Sequence, residues 1–167
     1  MGTIAGSKKL KRQMAPMFWG INRKEKRFVI TVRPGSHPKN NSIPSAVLLR
    51  DTLNHVETLR EAKSSIYGGK VKVDGVIQKS LHHSIGLMDV VELEGTTDIY
   101  RLVPKDGQLL VPIKIEAKEK TKKLVKVKSK TSNKGGKTQL GFHDGRTIIT
   151  DTAVSYTHLT LPTILLV

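Results

Sequence analysis

The chain has 167 residues, a formal net charge of +15 from 29 Lys/Arg against 14 Asp/Glu, 4% aromatic residues and no cysteine. That length allows one ordinary domain or two small ones, and the missing thiols exclude disulfides, thiolate zinc sites and cysteine nucleophiles. No stretch approaches the roughly 20 apolar residues of a membrane span, and no apolar run of signal-peptide length follows Lys8, Lys9, Lys11 and Arg12, so a soluble, non-secreted protein is expected.

Placement of the charge says more than its size. Residues 1–27 hold eight Lys/Arg against one acid, 28–43 two against none, 44–103 seven against eight, and 104–153 twelve against five. Two strongly basic regions therefore flank a nearly neutral one, the pattern expected where extensions hold a polyanion. Solubility alone needs a net charge of only ~2 to 8.

Residues 1–43 read as a basic N-terminal extension and connector. Residues 1–27 have too few periodic apolar positions for a domain, so this arm is expected to order on its partner, with Lys and Arg on phosphates. Phe18 or Trp19 either stacks on a base there or docks the arm on the chain's own core. Phe28-Val29-Ile30-Thr31-Val32 gives a short extended piece, and Arg33-Pro34-Gly35-Ser36-His37-Pro38 a Pro/Gly loop.

From Pro44 to Leu93 the pattern is helix, helix, strand. Leu49 and Leu53, then Leu59, Ala62 and Ile66, recur at spacings that put apolar groups on one helical face. Gly68-Gly69 stops the second helix, Val71 and Val73 alternate with Lys70 and Lys72, and Asp74-Gly75 turns the chain. Val90 to Leu93 forms a strand that can pair with the Val71 strand. Arg60 and Lys63, three apart on the second helix, project from one side, and Lys70 and Lys72 share a strand face. These four cations can converge even in a neutral region, although each taken alone reads as a solvated charge, and Arg60 as half of a helix pair with a nearby carboxylate.

The second half, residues 104–153, reads as mostly antiparallel β. Apolar segments from Ile99 to Pro104 and Leu109 to Ile115 surround a Lys105-Asp106-Gly107-Gln108 turn. Residues 116–123 suggest one or two helical turns. Strands follow at Leu124 to Lys128, Thr138 to Phe142 and Thr147 to Thr150, joined by Gly-containing turns that carry Lys134, Lys137 and Arg146. Residues 154–167 lose all charge, and Val154 to Thr163 resembles a translated transposon-end sequencing adaptor, so a non-native tail and a shortened gene are expected there. The overall expectation is an α+β chain in three parts before that tail, with boundaries at 43/44 and 103/104.

Enzymatic patterns fail physical requirements. Gly136-Lys137-Thr138 ends like a phosphate loop, but Thr131 stands where that loop needs Gly. His82 and His83 would point to opposite faces of a strand and have no acidic or thiol partner at ligand spacing. Nothing resembles a nucleophile elbow. No catalysis, cofactor, metal, small-molecule substrate or membrane partner is expected.

Thr58-Leu59-Arg60-Glu61-Ala62-Lys63, Gly69-Lys70-Val71-Lys72-Val73-Asp74-Gly75 and Gly86-Leu87-Met88-Asp89-Val90 resemble, in order and spacing, the S-four-type RNA-binding domain. Lys9-Leu10-Lys11-Arg12-Gln13-Met14-Ala15-Pro16 with Trp19 resembles the amino-terminal signature of the archaeal and eukaryotic small-subunit ribosomal protein S four e family. So do Pro34-Gly35-Ser36-His37-Pro38, Ser42-Ile43-Pro44, residues 47–51, and the run from Gly135 to Arg146. The similarity covers about residues 8–152, and its spacing looks archaeal. It implies a structural constituent of the small ribosomal subunit, in the cytoplasm, whose partners are small-subunit rRNA and neighbouring ribosomal proteins. Contacts to structured RNA are implied for Arg60, Lys63, Lys70 and Lys72, and the shortened gene expected above would leave out the family's carboxy-terminal KOW-type barrel. A pseudouridine synthase carrying the same domain would need Asp after Gly-Arg-Leu, and Gly145-Arg146 is followed by Thr147-Ile148. A free RNA-binding stress factor is the other alternative.

Overall fold

The computed structural model describes residues 9–105, 108–133, 136–150 and 162–166, with backbone alone for Lys9, 108–109 and 162–166. It is an α+β structure dominated by antiparallel pairing and divides into two compact units, residues 1–120 and 121–167.

In the first unit, β1 (Lys9–Lys11) pairs antiparallel with β2 (Phe28–Ile30). Short 3₁₀ turns at Arg12–Met14 and Met17–Trp19 lie between them. This arm is not an unattached tail: Ala15, Trp19, Val29 and Val32 are buried in the same core as Ile43, Ala46, Leu48, Ile66, Val71 and Leu110. Its few apolar side chains suffice because they fill gaps in an existing core and need not build one. The expected connector packs in part, since Thr31, His37, Ser42 and Ile43 are buried while residues 38–41 stay exposed.

β3 (Ile43–Pro44) pairs with β6 (Ser84–Ile85) and feeds α1 (Ser45–Val47). α1 runs on through Leu48–Thr52 with widened turns, Leu53 N–H donating to Leu48 O at 2.8 Å. α2 (Leu59–Tyr67) starts at a reciprocal cap: Thr58 Oγ1 accepts from Glu61 N–H, and the Glu61 carboxylate accepts from the Thr58 N–H. This capping satisfies donors that the first helical turn cannot. Hydrogen bonds from the Thr58 hydroxyl, then from the Glu57 N–H, hold the Glu61 carboxyl below its ordinary pKa. Ala62 and Ile66 turn inward as the periodicity requires, but Leu59 is 41% exposed. It sits at the first helical position, where the chain has only just left the extended backbone of Thr58.

A five-stranded antiparallel sheet follows, in spatial order β5 (Val76–Ile77), β4 (Val71–Val73), β7 (Val90–Leu93), β8 (Ile99–Lys105) and β9 (Gln108–Ile115). Asp74 and Gly75 both take positive φ, +49° and +78°, as a tight hairpin with right-handed strand twist demands. The Asp74 carboxylate accepts the Val90 N–H at 2.9 Å, which ties that turn to β7. The boundary expected at 103/104 falls inside β8, whose pairing with β9 continues from Ile99 to Lys105. A hydrogen-bonded strand cannot host a linker, and the division comes instead after Lys120. The helical turns expected at 116–123 are a non-helical turn with one Glu119 N–H to Glu116 O bond, and the next strand begins at Lys122.

The second unit is one sheet in the order β12 (Thr147–Thr150), β11 (Thr138–Phe142), β10 (Lys122–Ser132), β13 (Pro162–Leu166). Val125 and Phe142 are buried, beside a buried ion pair of Lys123 Nζ with Asp144 Oδ2 at 3.3 Å. Residues 154–161 and 167 of the expected non-native tail lie outside the described residues, while 162–166 pair along Lys122–Lys126.

Candidate RNA-binding surface

α2 and the hairpin after it present the cations picked out by spacing. Arg60, Lys63, Lys70 and Lys72 are all exposed. Lys63 Nζ sits 5.6 Å from the centroid of the Tyr67 ring, itself 52% exposed, so the end of α2 offers a cation beside an open aromatic face. Among the described residues Arg60, Lys70 and Lys72 have no ion pair. Lys72 lies across the ladder from Glu92, whose carboxylate takes Lys120 Nζ at 3.1 Å.

Two expected contacts turn inward. Arg12 is 1% exposed, with its guanidinium 3.1 Å from Asp51 and 3.5 Å from Glu25. Arg50 shares the same carboxylate at 2.7 Å. A guanidinium so enclosed anchors the arm to the end of the first helix and is withdrawn from phosphate. Trp19 is 1% exposed and its indole N–H donates to Ser42 O at 3.0 Å. Of the two roles open to it, the structure places it in the docking one.

Lys11 is exposed at the end of β1. In the second unit Lys137 is exposed before β11, and Arg146 lies half-exposed with Nε 3.6 Å from the buried Asp144 carboxylate. Lys8, Lys134 and the side chain of Lys9 lie outside the described residues.

A cleft of about 450 Å³ is lined by Lys11, Gln13, Arg23, Lys24, Lys26 and Arg27. Spacing did not single out Arg23, Lys24, Lys26 and Arg27, because no periodic element carries them. The available signal was the excess of eight cations over one acid in residues 1–27.

The two adjacent histidines serve the fold. His82 Nδ1 lies 2.7 Å from Thr31 O. His83 is half-buried, and burial lowers its pKa, an effect that the Asp89 carboxylate only partly offsets. No cluster of potential metal ligands exists among the described residues. A histidine with a depressed folded pKa favours its neutral form, so the unfolded chain takes up the proton first as pH falls below about 6.5. Stability present above that value is therefore lost on acidification. Between about pH 7.5 and about pH 5.5 the urea midpoint is expected to drop, and by less in His83→Gln, as equilibrium denaturation at several pH values would show.

Among the described residues no helix is long and apolar enough to cross a membrane. Residues 96–162 match the Ribosomal family S4e, and residues 5–40 match the RS4NT (NUC023) domain. Small ribosomal subunit protein eS4 of Ignicoccus hospitalis is 43% identical over 89% of this chain, and that of Pyrobaculum islandicum 44% identical over 93%. The chain spans 59% and 66% of the lengths of those two relatives. The crystal structure of the 30S ribosomal protein S4e from Thermoplasma acidophilum superimposes with a TM-score of 0.59 at 38% identity, covering 71% of this chain and 60% of that one. Two matching domains, in order, and about 40% identity to archaeal relatives over most of the sequence establish that this chain belongs to the ribosomal S4e family.

Proposed function

We propose that this chain is a structural constituent of the small ribosomal subunit, in the cytoplasmic ribosome, which binds folded rRNA and neighbouring subunit proteins and catalyses nothing. The identity shared with relatives named small ribosomal subunit protein eS4 carries the reading. The charge distribution supports it, since the +15 surplus lies outside the central module. Within that module α1, α2 and the β4–β5 hairpin form the S-four-type unit, and Arg60, Lys63, Lys70 and Lys72 are its RNA-facing groups. Lys8, Lys9, Lys11, Lys134, Lys137 and Arg146 add phosphate contacts from the flanks. Binding of this kind releases counterions, so affinity falls steeply with salt, while the shape of the rigid module selects the RNA surface.

The test combines sedimentation with mutation. A tagged chain in an archaeal host is expected to co-sediment with small subunits, and recovery only with large subunits or free RNA would reject the assignment. Neutralising Arg60, Lys63 and Lys70 to Gln together is expected to weaken binding to small-subunit rRNA by about 10- to 100-fold in a filter assay while the fold persists. Unchanged affinity would remove α2 and the hairpin from the interface.

A further inference from the structure

We infer that the cleft between the β1–β2 pair and the Arg23–Arg27 turn is a clamp for the phosphodiester backbone of RNA, indifferent to base sequence. This inference rests on the RNA-binding reading above and assigns a part of the binding to residues that spacing did not single out.

Five of the six side chains lining the cleft are cations, Lys11, Arg23, Lys24, Lys26 and Arg27, around a volume of about 450 Å³. All five are exposed, and the backbone holds them together. Lys11 stands opposite Phe28 in the β1–β2 register, and Arg12 N–H donates to Arg27 O at 3.0 Å, so Lys11 and Arg27 are fixed across one strand pair. Arg23 is pinned from the other side, its guanidinium donating to Gln13 O at 3.4 Å and Ala15 O at 3.2 Å. The buried Arg12–Asp51 pair anchors this turn to the core.

Counter-charge at the cleft is sparse. Glu25 is the one acid in residues 1–27, and its carboxylate goes to Arg12 at 3.5 Å and Lys26 at 3.8 Å. Among the described residues Lys11, Lys24 and Arg27 have no ion pair, although Arg27 lies 5.4 Å from the Phe28 ring centroid. Five cations gathered around a single partial counter-charge raise the local potential, and a bound polyanion relieves that repulsion. The volume suits a phosphodiester with its flanking sugars rather than a lone ion. No aromatic ring lines it, so no base can stack there, and this favours contact with backbone alone. An acidic polypeptide matches the charge, but Gln13 is the one neutral side chain offered to its amides.

Filter binding of the full chain to archaeal small-subunit rRNA, polyuridylate and polyglutamate, over a salt series, tests the clamp. The variant Lys11→Gln, Lys24→Gln, Arg27→Gln replaces exposed side chains, and its fold is checked by circular dichroism and thermal melting. On both RNAs it is expected to reduce the slope of log affinity against log salt by about 2 to 3, at roughly 0.7–0.9 per lost phosphate contact. The double variant Lys11→Gln, Lys24→Gln keeps the Arg27–Phe28 contact and is expected to lose about 1.5. Wild-type binding with an unchanged slope in a folded triple variant overturns the clamp and leaves the RNA-binding reading standing. Wild-type chain that binds neither RNA overturns both. Equal affinity for polyglutamate, lost in the same variants, overturns the choice of RNA in favour of an acidic protein.

Discussion

Trp19→Ala is expected to destabilise the first unit by about 3 to 5 kcal/mol, the range for removing a large buried aromatic side chain from a packed core. Trp19 is 1% exposed among buried apolar neighbours, and its indole N–H satisfies the Ser42 carbonyl at 3.0 Å. Truncation leaves both a cavity and an unpaired carbonyl. Trp19→Phe retains most of the volume and loses the hydrogen bond, so its cost is smaller, about 1 to 3 kcal/mol. Urea unfolding measures both.

The same residue tests what the arm does with RNA. Trp19 is the chain's single tryptophan, so emission excited at the red edge, where the three tyrosines do not absorb, reports on it alone. A core role predicts blue-shifted emission in the free protein and little change when rRNA is added at saturation. Strong quenching on binding would mean that the indole leaves the core to stack on a base.

The comparison of Trp19 with Arg60 shows where sequence reasoning reaches. Arg60 and Lys63 were readable because α2 has a regular period, so that identifying its buried face identifies its exposed one. The strands of the first sheet were readable for the same reason, with Val71 and Val73 buried and Lys72 exposed between them. Arg12 shows the limit. In sequence it is one more cation in a basic run, and its partner Asp51 lies 39 residues away. A long-range ion pair leaves no mark in local composition, so the charge count could not separate an interior anchor from a phosphate contact. The extent of the first sheet was hidden similarly, because apolar segments at 99–104 and 109–115 define a hairpin but not the sheet it joins. Pairing of Val90, Val91 and Glu92 with β8 decides that.

A larger omission concerns the Pro34–Pro38 loop. By composition it is a Pro/Gly connector, yet His37 is 4% exposed and its Nε2 lies 3.0 Å from Asp89 Oδ2. Asp89, 2% exposed, also accepts the Gly86 N–H at 2.8 Å, and the His37 N–H donates to Ser84 Oγ at 3.2 Å. Positions 37 and 89 are 52 residues apart. The loop is therefore a plug that seats on β6 and the segment between β6 and β7, and these contacts tie the chain after β2 to the central module.

Gly86→Ala exposes this plug to a direct test. A Cβ at position 86 would lie 2.4 Å from His37 Cγ and 2.5 Å from Nδ1, far inside van der Waals contact. The ring cannot swing aside freely, because its other edge is held by Asp89 and its backbone by Ser84. Overpacking of this kind costs about 1 to 3 kcal/mol when neighbours can shift, and the value here is expected at or above the upper end. His37→Ala is also destabilising, since it leaves a cavity and the buried Asp89 carboxylate without one of its donors. In the double variant, however, the new methyl enters space that the ring has vacated. The cost of Gly86→Ala in the His37→Ala background is therefore expected to fall by more than about 1 kcal/mol, a coupling well outside the additivity of independent sites. Equal costs in the two backgrounds, measured by urea unfolding, would show that the glycine is needed for its backbone alone and that the loop is not the plug described.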